Sequence, residues 1–94
     1  MTPHFLVHDS DDSVGVAVVE GIGAGQEVTG WIMDRDETVT MVATAAIPLG
    51  HKIALKDFAE GDSVTKYGHD IGRVVEGCAK GGHVHVHNVK TRRW

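Results

Sequence analysis

Four copies of one short glycine motif constrain how this chain can fold. Each copy has an apolar residue, two residues of any type, a glycine, two more residues and a second apolar residue. The copies occupy residues 22–28, 47–53, 58–64 and 78–84. Because glycine takes positive φ without steric cost, each copy predicts a tight turn that brings its two apolar residues into a core. The spacing between copies is irregular, which indicates a recurrent turn and not a solenoid.

The segments between these turns have the apolar patterns of strands. Residues 5–8 predict a short first strand, and the β-branched run at 14–19 predicts a strand buried on both faces. Residues 27–33 and 38–42 predict a hairpin with a charged tip at 34–37. Helical candidates are limited to a turn or so near 54–59 and to residues 71–79. The sequence therefore predicts one small all-β domain spanning residues 1–94, with little helix.

Size and charge limit the classes of function. A chain of 94 residues has little room for a closed catalytic pocket, so a partner chain or a homo-oligomer is expected. A formal charge of −4 argues against nucleic acid as a ligand. No apolar run approaches the roughly 18 residues of a membrane span, and the acidic first 20 residues do not resemble a secretory signal. Cys78, the single cysteine, cannot form an internal disulfide, so we expect a cytoplasmic protein in which Cys78 is a small buried hydrophobe.

Histidine alternates with valine in the C-terminal stretch GHVHVHNVKT, residues 82–91. This period-2 pattern predicts a strand with His83, His85 and His87 on one face, each about 6.6 Å from the next along the backbone. Two interpretations are open. His85 and His87 converge on one ion or anionic ligand, or the imidazoles form a solvated face while the valines enter the core.

Two lysines in the middle of the chain lie beside glycine turns. Lys52 follows Gly50 and His51, and Lys66 precedes Tyr67 and Gly68. Because lysine is rarely used in a core, each is either solvated or directed at an anion. Both alternatives are open.

Three ordered motifs carry a resemblance to a known family. They are IPLGHKIAL at residues 47–55, KYGxxIG at 66–72 and GHVHVHNVKT at 82–91. Together they resemble the SAF-domain module of the altronate and galactarate dehydratase family, over most of the chain from about residue 14. The resemblance implies a β-clip fold. It also implies either the N-terminal domain of a long dehydratase or a small subunit beside a large catalytic (beta) subunit. Because the sequence stops at Trp94, the small-subunit form is expected.

The family resemblance also implies a reaction, a metal-assisted β-elimination from a small anionic 2-hydroxy acid. A base removes the C2 proton, a divalent ion, expected to be Fe²⁺, stabilises the enediolate, and the C3 substituent leaves as sulfite or water. The iron is expected to be bound mainly by, or shared with, the large subunit. Further similarity at residues 5–9, 30–33 and 88–94 favours 3-sulfolactate as substrate, with sulfite and pyruvate as products, and a lyase that is inactive without its partner. Dehydration of a sugar acid such as altronate is the alternative.

Site residues are expected from the same resemblance. The catalytic candidates are His85, His87 and His51, and His85 and His87 are also the candidate metal ligands. The candidate substrate-binding residues, which would orient carboxylate and sulfonate groups, are Lys52, Lys66, Tyr67, Asn88, Lys90 and Arg92. His83 is expected only to continue the imidazole face.

Two other classes of function remain open. A non-catalytic docking module would cap the site of a larger enzyme, and the imidazoles would then serve in the interface. A free-standing metal or anion carrier would bind its ligand alone, although the sequence has no cysteine cluster or closely spaced set of ligands.

Overall fold

Nine β-strands and no helix make up the part of the chain that the computed structural model describes, residues 3–66, 69–85 and 89–91. The all-β prediction is therefore confirmed. The strands, in chain order, are β1 (Phe5–Val7), β2 (Val14–Ala17), β3 (Glu27–Ile32), β4 (Glu37–Val42), β5 (Lys52–Ala54), β6 (Ser63–Lys66), β7 (His69–Val74), β8 (His83–Val84) and β9 (Val89–Thr91).

The strands form two sheets. The larger has six strands in the order β4-β3-β1-β2-β5-β8, and the smaller has three in the order β6-β7-β9. β1 and β3 pair in parallel, and every other named pair is antiparallel. The predicted hairpin is formed by β3 and β4, whose pairing runs from Glu27↔Val42 to Ile32↔Glu37.

The glycine motif forms the four turns that the sequence predicts. The four motif glycines have φ between 83° and 94°, a region that favours glycine; they are Gly25, Gly50, Gly61 and Gly81. In each copy the second apolar residue lies in a strand and is buried. The first apolar residues pair across the fold, Ile22 with Ile47 and Phe58 with Cys78. These bridges tie the turns together in pairs.

The core is divided into two apolar clusters that meet at β5. Phe5, Val28 and Ile47 belong to the first cluster. The second contains Val14, Phe58, Val64, Val74 and Val84. Adjacent residues on β5 contribute to different clusters, Ile53 to the first and Ala54 to the second. Since neighbouring strand residues point to opposite faces, β5 lies between the two clusters.

Three local predictions were wrong. Ala54 ends β5 and Ile71 lies in β7, so neither predicted helix forms in those segments. A short apolar run is compatible with either a helix or a strand. Here β5 pairs with β2 and β7 pairs with β9, so both segments contribute to strands. The predicted continuous strand over residues 82–91 is two strands, β8 and β9, in different sheets. Residues 86–88 between them lie outside the described ranges.

The structure also bears on the membrane question. Within the described ranges, no helix has the length and apolar character needed to cross a bilayer.

Candidate functional site

His51 lies in the turn that leads into β5, and the backbone around it is held on both sides. Its N–H donates to the Pro48 carbonyl at 3.0 Å, and its own carbonyl accepts from Ala17 N–H at 2.9 Å. The Gly50 N–H donates to the Ala17 carbonyl at 2.9 Å. The Gly50 turn and β2 therefore fix the backbone position from which the His51 imidazole projects.

His83 and His85 are placed by the adjacent glycine turn. Gly81 N–H donates to the Ala54 carbonyl at 2.8 Å, and Ala54 N–H donates to the Gly82 carbonyl at 2.9 Å. This exchange brings β8 beside β5, with His83 opposite Ile53. The carbonyl of His85 then accepts from Val89 N–H at 3.1 Å.

The three imidazoles of His51, His83 and His85 form a compact histidine cluster. Nδ1 of His51 lies 2.7 Å from Nε2 of His83, a hydrogen-bond distance. The His51 and His85 rings stack with their centroids 3.7 Å apart and their planes 15° apart. The centroids of His83 and His85 lie 6.0 Å apart, as expected for same-face neighbours. All three side chains are half-buried, so the cluster remains open to solvent or to a ligand.

His85 was predicted both as a catalytic residue and as a metal ligand. In the cluster, the Nδ1 atom of His51 is directed at Nε2 of His83. Within residues 3–66, 69–85 and 89–91, no three or more His, Cys, Asp or Glu side chains are grouped so that they could hold a metal ion. His87, the other proposed ligand, lies outside those residues.

Lys66 and Lys52 form a second group, the lysine pair. Lys66 is only 5% exposed, so the solvated alternative does not apply to it. Burial lowers the pKa of its ammonium group, the negative charge of Asp12 opposes that shift, and the positive charge of Lys52 adds to it. Asp12 is itself only 6% exposed. Its position is set by the next residue, because Ser13 and Thr65 exchange hydrogen bonds: Ser13 N–H donates to the Thr65 carbonyl at 3.0 Å, and Thr65 N–H donates to Ser13 Oγ at 2.8 Å.

The histidine cluster and Lys52 lie on opposite faces of the larger sheet. Lys52 is paired with Val84, whereas the next residue, Ile53, is paired with His83. Neighbouring strand residues point to opposite faces, so the side chains of Lys52 and His83 leave the sheet on opposite sides. The structure thus divides the predicted site residues into two groups.

The remaining predicted substrate-binding residues are Lys90 and three that the structure does not describe. Lys90 lies on β9 in the smaller sheet, opposite Arg73, and its side chain is exposed. Three more lie outside the described residues and remain predictions: Tyr67, Asn88 and Arg92.

Two residues at these groups were not predicted to have a role. Asp12 was part of a polar turn in the sequence, and nothing local indicates that it would lie beside a lysine 54 positions later. His83 was expected only to continue the imidazole face. The signal that could have identified it was its place on the same face as His85, two residues away.

Comparison with known proteins gives the family. The family model described as the altronate/galactarate dehydratase SAF domain matches residues 3–92. The chain belongs to that family. The resemblance carried by the three sequence motifs is therefore confirmed, and the all-β architecture is consistent with this SAF domain.

Relatives of this SAF domain include two sulfolactate sulfo-lyase subunits and an altronate dehydratase. It is 58% identical to the (2R)-sulfolactate sulfo-lyase subunit alpha of Chromohalobacter salexigens over 94 residues, the full length of both chains. The subunit of the same name from Paracoccus pantotrophus is 56% identical over 54 residues, which cover 57% of this chain and 81% of the relative. The altronate dehydratase of Escherichia coli is 42% identical over 80 residues, 85% of this chain but 15% of that protein. The SAF domain thus matches a whole small subunit in one case and a small part of a long enzyme in another.

Proposed function

We propose that this SAF domain is the small (alpha) subunit of a (2R)-sulfolactate sulfo-lyase. Together with a large catalytic subunit in the cytoplasm, it eliminates sulfite from 3-sulfolactate to give pyruvate, and it is inactive alone. The observation that carries the proposal is the 58% identity over the full length of both chains to a subunit with that name. A relative that acts on altronate is less similar and matches only as part of a longer chain.

The elimination requires a base near the C2 proton of the substrate. As the base takes this proton, the C2–H electrons form a C2=C3 double bond, and sulfite leaves from C3 with the electrons of the C–S bond. The product is the enol of pyruvate, which takes a proton at C3 and loses its hydroxyl proton to become pyruvate. Neutral imidazole is the side chain best matched to such a transfer near neutral pH.

The histidine cluster supplies that base in this proposal. The His51–His85 stack is half-buried, so it is accessible and yet partly shielded from water. One protonated imidazole can stack on a neutral one, whereas two protonated imidazoles with their centroids 3.7 Å apart repel each other. The stack is therefore suited to hold one transferred proton at a time. We assign the base to His51 and contact with the reacting acid to His85.

The metal is proposed to belong mainly to the large subunit. The described residues of this chain do not form a metal-binding group. The proposed contribution of this chain to Fe²⁺ is limited to His85 and His87, as part of a site that the large subunit completes.

The lysine pair is proposed to attract the dianionic substrate. Lys52 leaves the larger sheet on the face opposite His83, and Lys66 is only 5% exposed, so both are proposed to act on the substrate through their charge and not by direct contact. Tyr67, Asn88, Lys90 and Arg92 remain proposed substrate contacts.

Reconstitution of the two-subunit enzyme tests this function. The chain is purified with its large subunit under anaerobic conditions with Fe²⁺ and is offered racemic 3-sulfolactate, with altronate in a parallel reaction. We expect sulfite and pyruvate in equal amounts, and neither product when one subunit is omitted. If altronate gives a keto-deoxy sugar acid and sulfolactate gives no sulfite, the proposed substrate is wrong and altronate takes its place. The family assignment is unaffected by that result.

The variant His85→Ala tests the assignment of the cluster. We expect turnover by the assembled complex to fall at least about 100-fold, because His85 contacts the acid and stacks on the base His51, and proton transfer by a positioned group contributes on that order. His69→Ala is the matched control, since His69 is an exposed histidine on β7. If His85→Ala keeps full turnover, the site assignment is wrong. If it weakens assembly with the large subunit and leaves turnover per complex unchanged, the chain is a docking module.

A further inference from the structure

The stretch from residue 38 to residue 51 contains no Lys, Arg, Asp or Glu, although these residue types make up 23% of the chain. Its side chains are not all buried, since Val42 is 52% exposed and Leu49 is 51% exposed. Thr44 and Pro48 in the same stretch are exposed as well. A surface that is exposed and uncharged resembles the centre of a protein interface, where charged residues are depleted.

Three exposed apolar side chains lie at one end of the larger sheet. β2 ends just before Val18, which is 39% exposed, β4 ends at Val42, and β5 begins three residues after Leu49. β2 is antiparallel to β1 and to β5, β3 is parallel to β1, and β4 is antiparallel to β3. The ends of β2 and β4 and the start of β5 therefore lie at the same end of the sheet. We call Val18, Val42 and Leu49 the apolar patch.

Two members of the apolar patch lie beside the turn that carries His51. Leu49 is two residues before His51 in the chain. The Gly50 N–H donates to the Ala17 carbonyl at 2.9 Å, which places Val18 next to the same turn. The patch therefore borders the histidine cluster on this side.

Val42 lies beside the other turn of the cluster. The Thr44 N–H donates to the Gly81 carbonyl at 2.9 Å. A Cβ atom added at Gly81 would overlap the carbonyl oxygen of Val42. Gly81 is two residues before His83, so the backbone at Val42 packs against the turn that leads into β8. A protein surface that covers the apolar patch would thus also border the histidine cluster.

Negative charge is concentrated at the opposite end of the sheet. Residues 9–12 follow β1, and residues 33–36 join β3 to β4. These two segments contain five aspartates and one arginine, and they are linked by a hydrogen bond of 3.0 Å from Ser10 Oγ to Asp34 Oδ2. Met33 is 40% exposed at this end, but its neighbours are charged. The acidic end is suited to water, whereas the end with the apolar patch is suited to a protein partner.

We propose that the large catalytic subunit docks on the apolar patch with an uncharged apolar surface of its own, and that this contact encloses the histidine cluster. The identity of this partner rests on the proposed function. The relative from Chromohalobacter salexigens is named as a subunit, and the altronate dehydratase of Escherichia coli matches this chain over only 15% of its own length. Domains similar to this one thus occur beside a larger body. A symmetric pair of this chain would instead place each cluster against the other copy.

Exposed carboxylates lie at the margin of the apolar patch. Glu20 is two residues after Val18, and Glu27 is paired with Val42. Because the rim of a protein interface is polar, the large subunit is expected to place basic side chains opposite these two glutamates.

The affinity of the purified chain for the purified large subunit tests the docking surface. Isothermal titration calorimetry gives Kd for the wild type, Leu49→Asp and Val42→Asp. We expect each variant to raise Kd at least about 30-fold, because it buries an unpaired carboxylate at the centre of the interface. Met33→Asp is the matched control at the acidic end and should leave Kd within about twofold of the wild type. Unchanged Kd values in both patch variants would overturn the proposal.

Folding and turnover separate docking from other effects. Because Val42 and Leu49 are both more than half exposed, their variants should keep the urea midpoint of the wild type. If Leu49→Asp unfolds, Leu49→Ser is measured in its place and should raise Kd about 5- to 10-fold. When the large subunit is saturated with Val42→Asp, kcat should remain within about twofold of the wild type, because Val42 does not contact the substrate. A large fall in kcat with an unchanged Kd would contradict a docking role.

The remaining outcomes distinguish the two proposals. If sedimentation of the chain alone shows a dimer that Leu49→Asp dissociates, the patch binds a second copy and the docking proposal is wrong. If the wild type binds the large subunit but releases no sulfite, the proposed function is wrong, while the Kd values still decide the docking surface. If sulfite is released and the patch variants bind like the wild type, only the docking surface is wrong. If the wild type does not bind the large subunit, both proposals are wrong.

Discussion

Gly30 provides a quantitative test of how the first apolar cluster is packed. Gly30 on β3 is paired with Phe5 on β1, and the Phe5 side chain is fully buried. A Cβ atom added at Gly30 would overlap Cε2 and Cζ of the Phe5 ring and would lie 2.7 Å from its Cδ2. Phe5 also packs over Gly15, where an added Cβ would lie 2.6 Å from the same Cδ2. The aromatic ring therefore occupies the space that both glycines leave open.

The expected cost of Gly30→Ala follows from these overlaps. Overpacking a well-packed core costs about 1–3 kcal/mol, and three overlapping ring atoms place this case near the upper end. Replacing glycine within a strand returns about 0.5–1 kcal/mol of backbone entropy. The free energy of unfolding should therefore fall by about 2 kcal/mol. For a domain of this size, that lowers Tm by on the order of 10 °C.

Urea unfolding followed by tryptophan fluorescence measures this change. Gly23→Ala is the control, because a Cβ added at Gly23 has no atom within 4 Å and should leave the urea midpoint nearly unchanged. The double variant Phe5→Leu/Gly30→Ala should be destabilised by less than the sum of the two single variants, since the smaller side chain removes the overlap. A midpoint for Gly30→Ala equal to that of the wild type would refute the packing argument.

Two further predictions follow from buried titratable groups. Because burial lowers the pKa of Lys66 below its ordinary 10.5, the unfolded chain binds this proton more tightly than the folded chain does. The free energy of unfolding therefore rises with pH between the lowered value and 10.5. Urea titrations at a series of alkaline pH values should show a smaller rise in Lys66→Met, and an equal rise in both proteins would contradict the assignment. Burial, with a contribution from the charge of Asp57, raises the pKa of the Cys78 thiol above 9.0. Iodoacetamide should therefore alkylate the folded chain more slowly than the urea-unfolded chain at the same pH. Equal rates would show that this thiol is not protected.

The features that sequence predicted correctly are those governed by local chemistry. Gly25, Gly50, Gly61 and Gly81 all have positive φ, because the conformational freedom of glycine belongs to the residue itself. His83 and His85 lie on one side because alternation along an extended chain is also local. The family followed from motifs that are visible in the sequence alone.

The incorrect predictions concern segments whose secondary structure depends on the strand with which they pair. The sequence of residues 82–91 is compatible with one strand, but Val84 enters the second cluster from β8, and Val89 packs against the same cluster from β9 in the other sheet. A period-2 pattern gives the face of each side chain and does not give the sheet to which it belongs. Ala54, expected near a helix, pairs with Val14 across the sheet for the same reason.

The sequence by itself determined an all-β chain with four glycine turns, a family and a set of chemically suitable residues. Only the tertiary structure decided which of those residues meet. His51 and His83 are 32 positions apart and share a hydrogen bond because β5 pairs with β8. Lys66 is buried near Asp12 because Ser13 binds the backbone of Thr65. Such contacts depend on how distant segments pair, and the free energy of that pairing is a property of the whole fold and not of either segment.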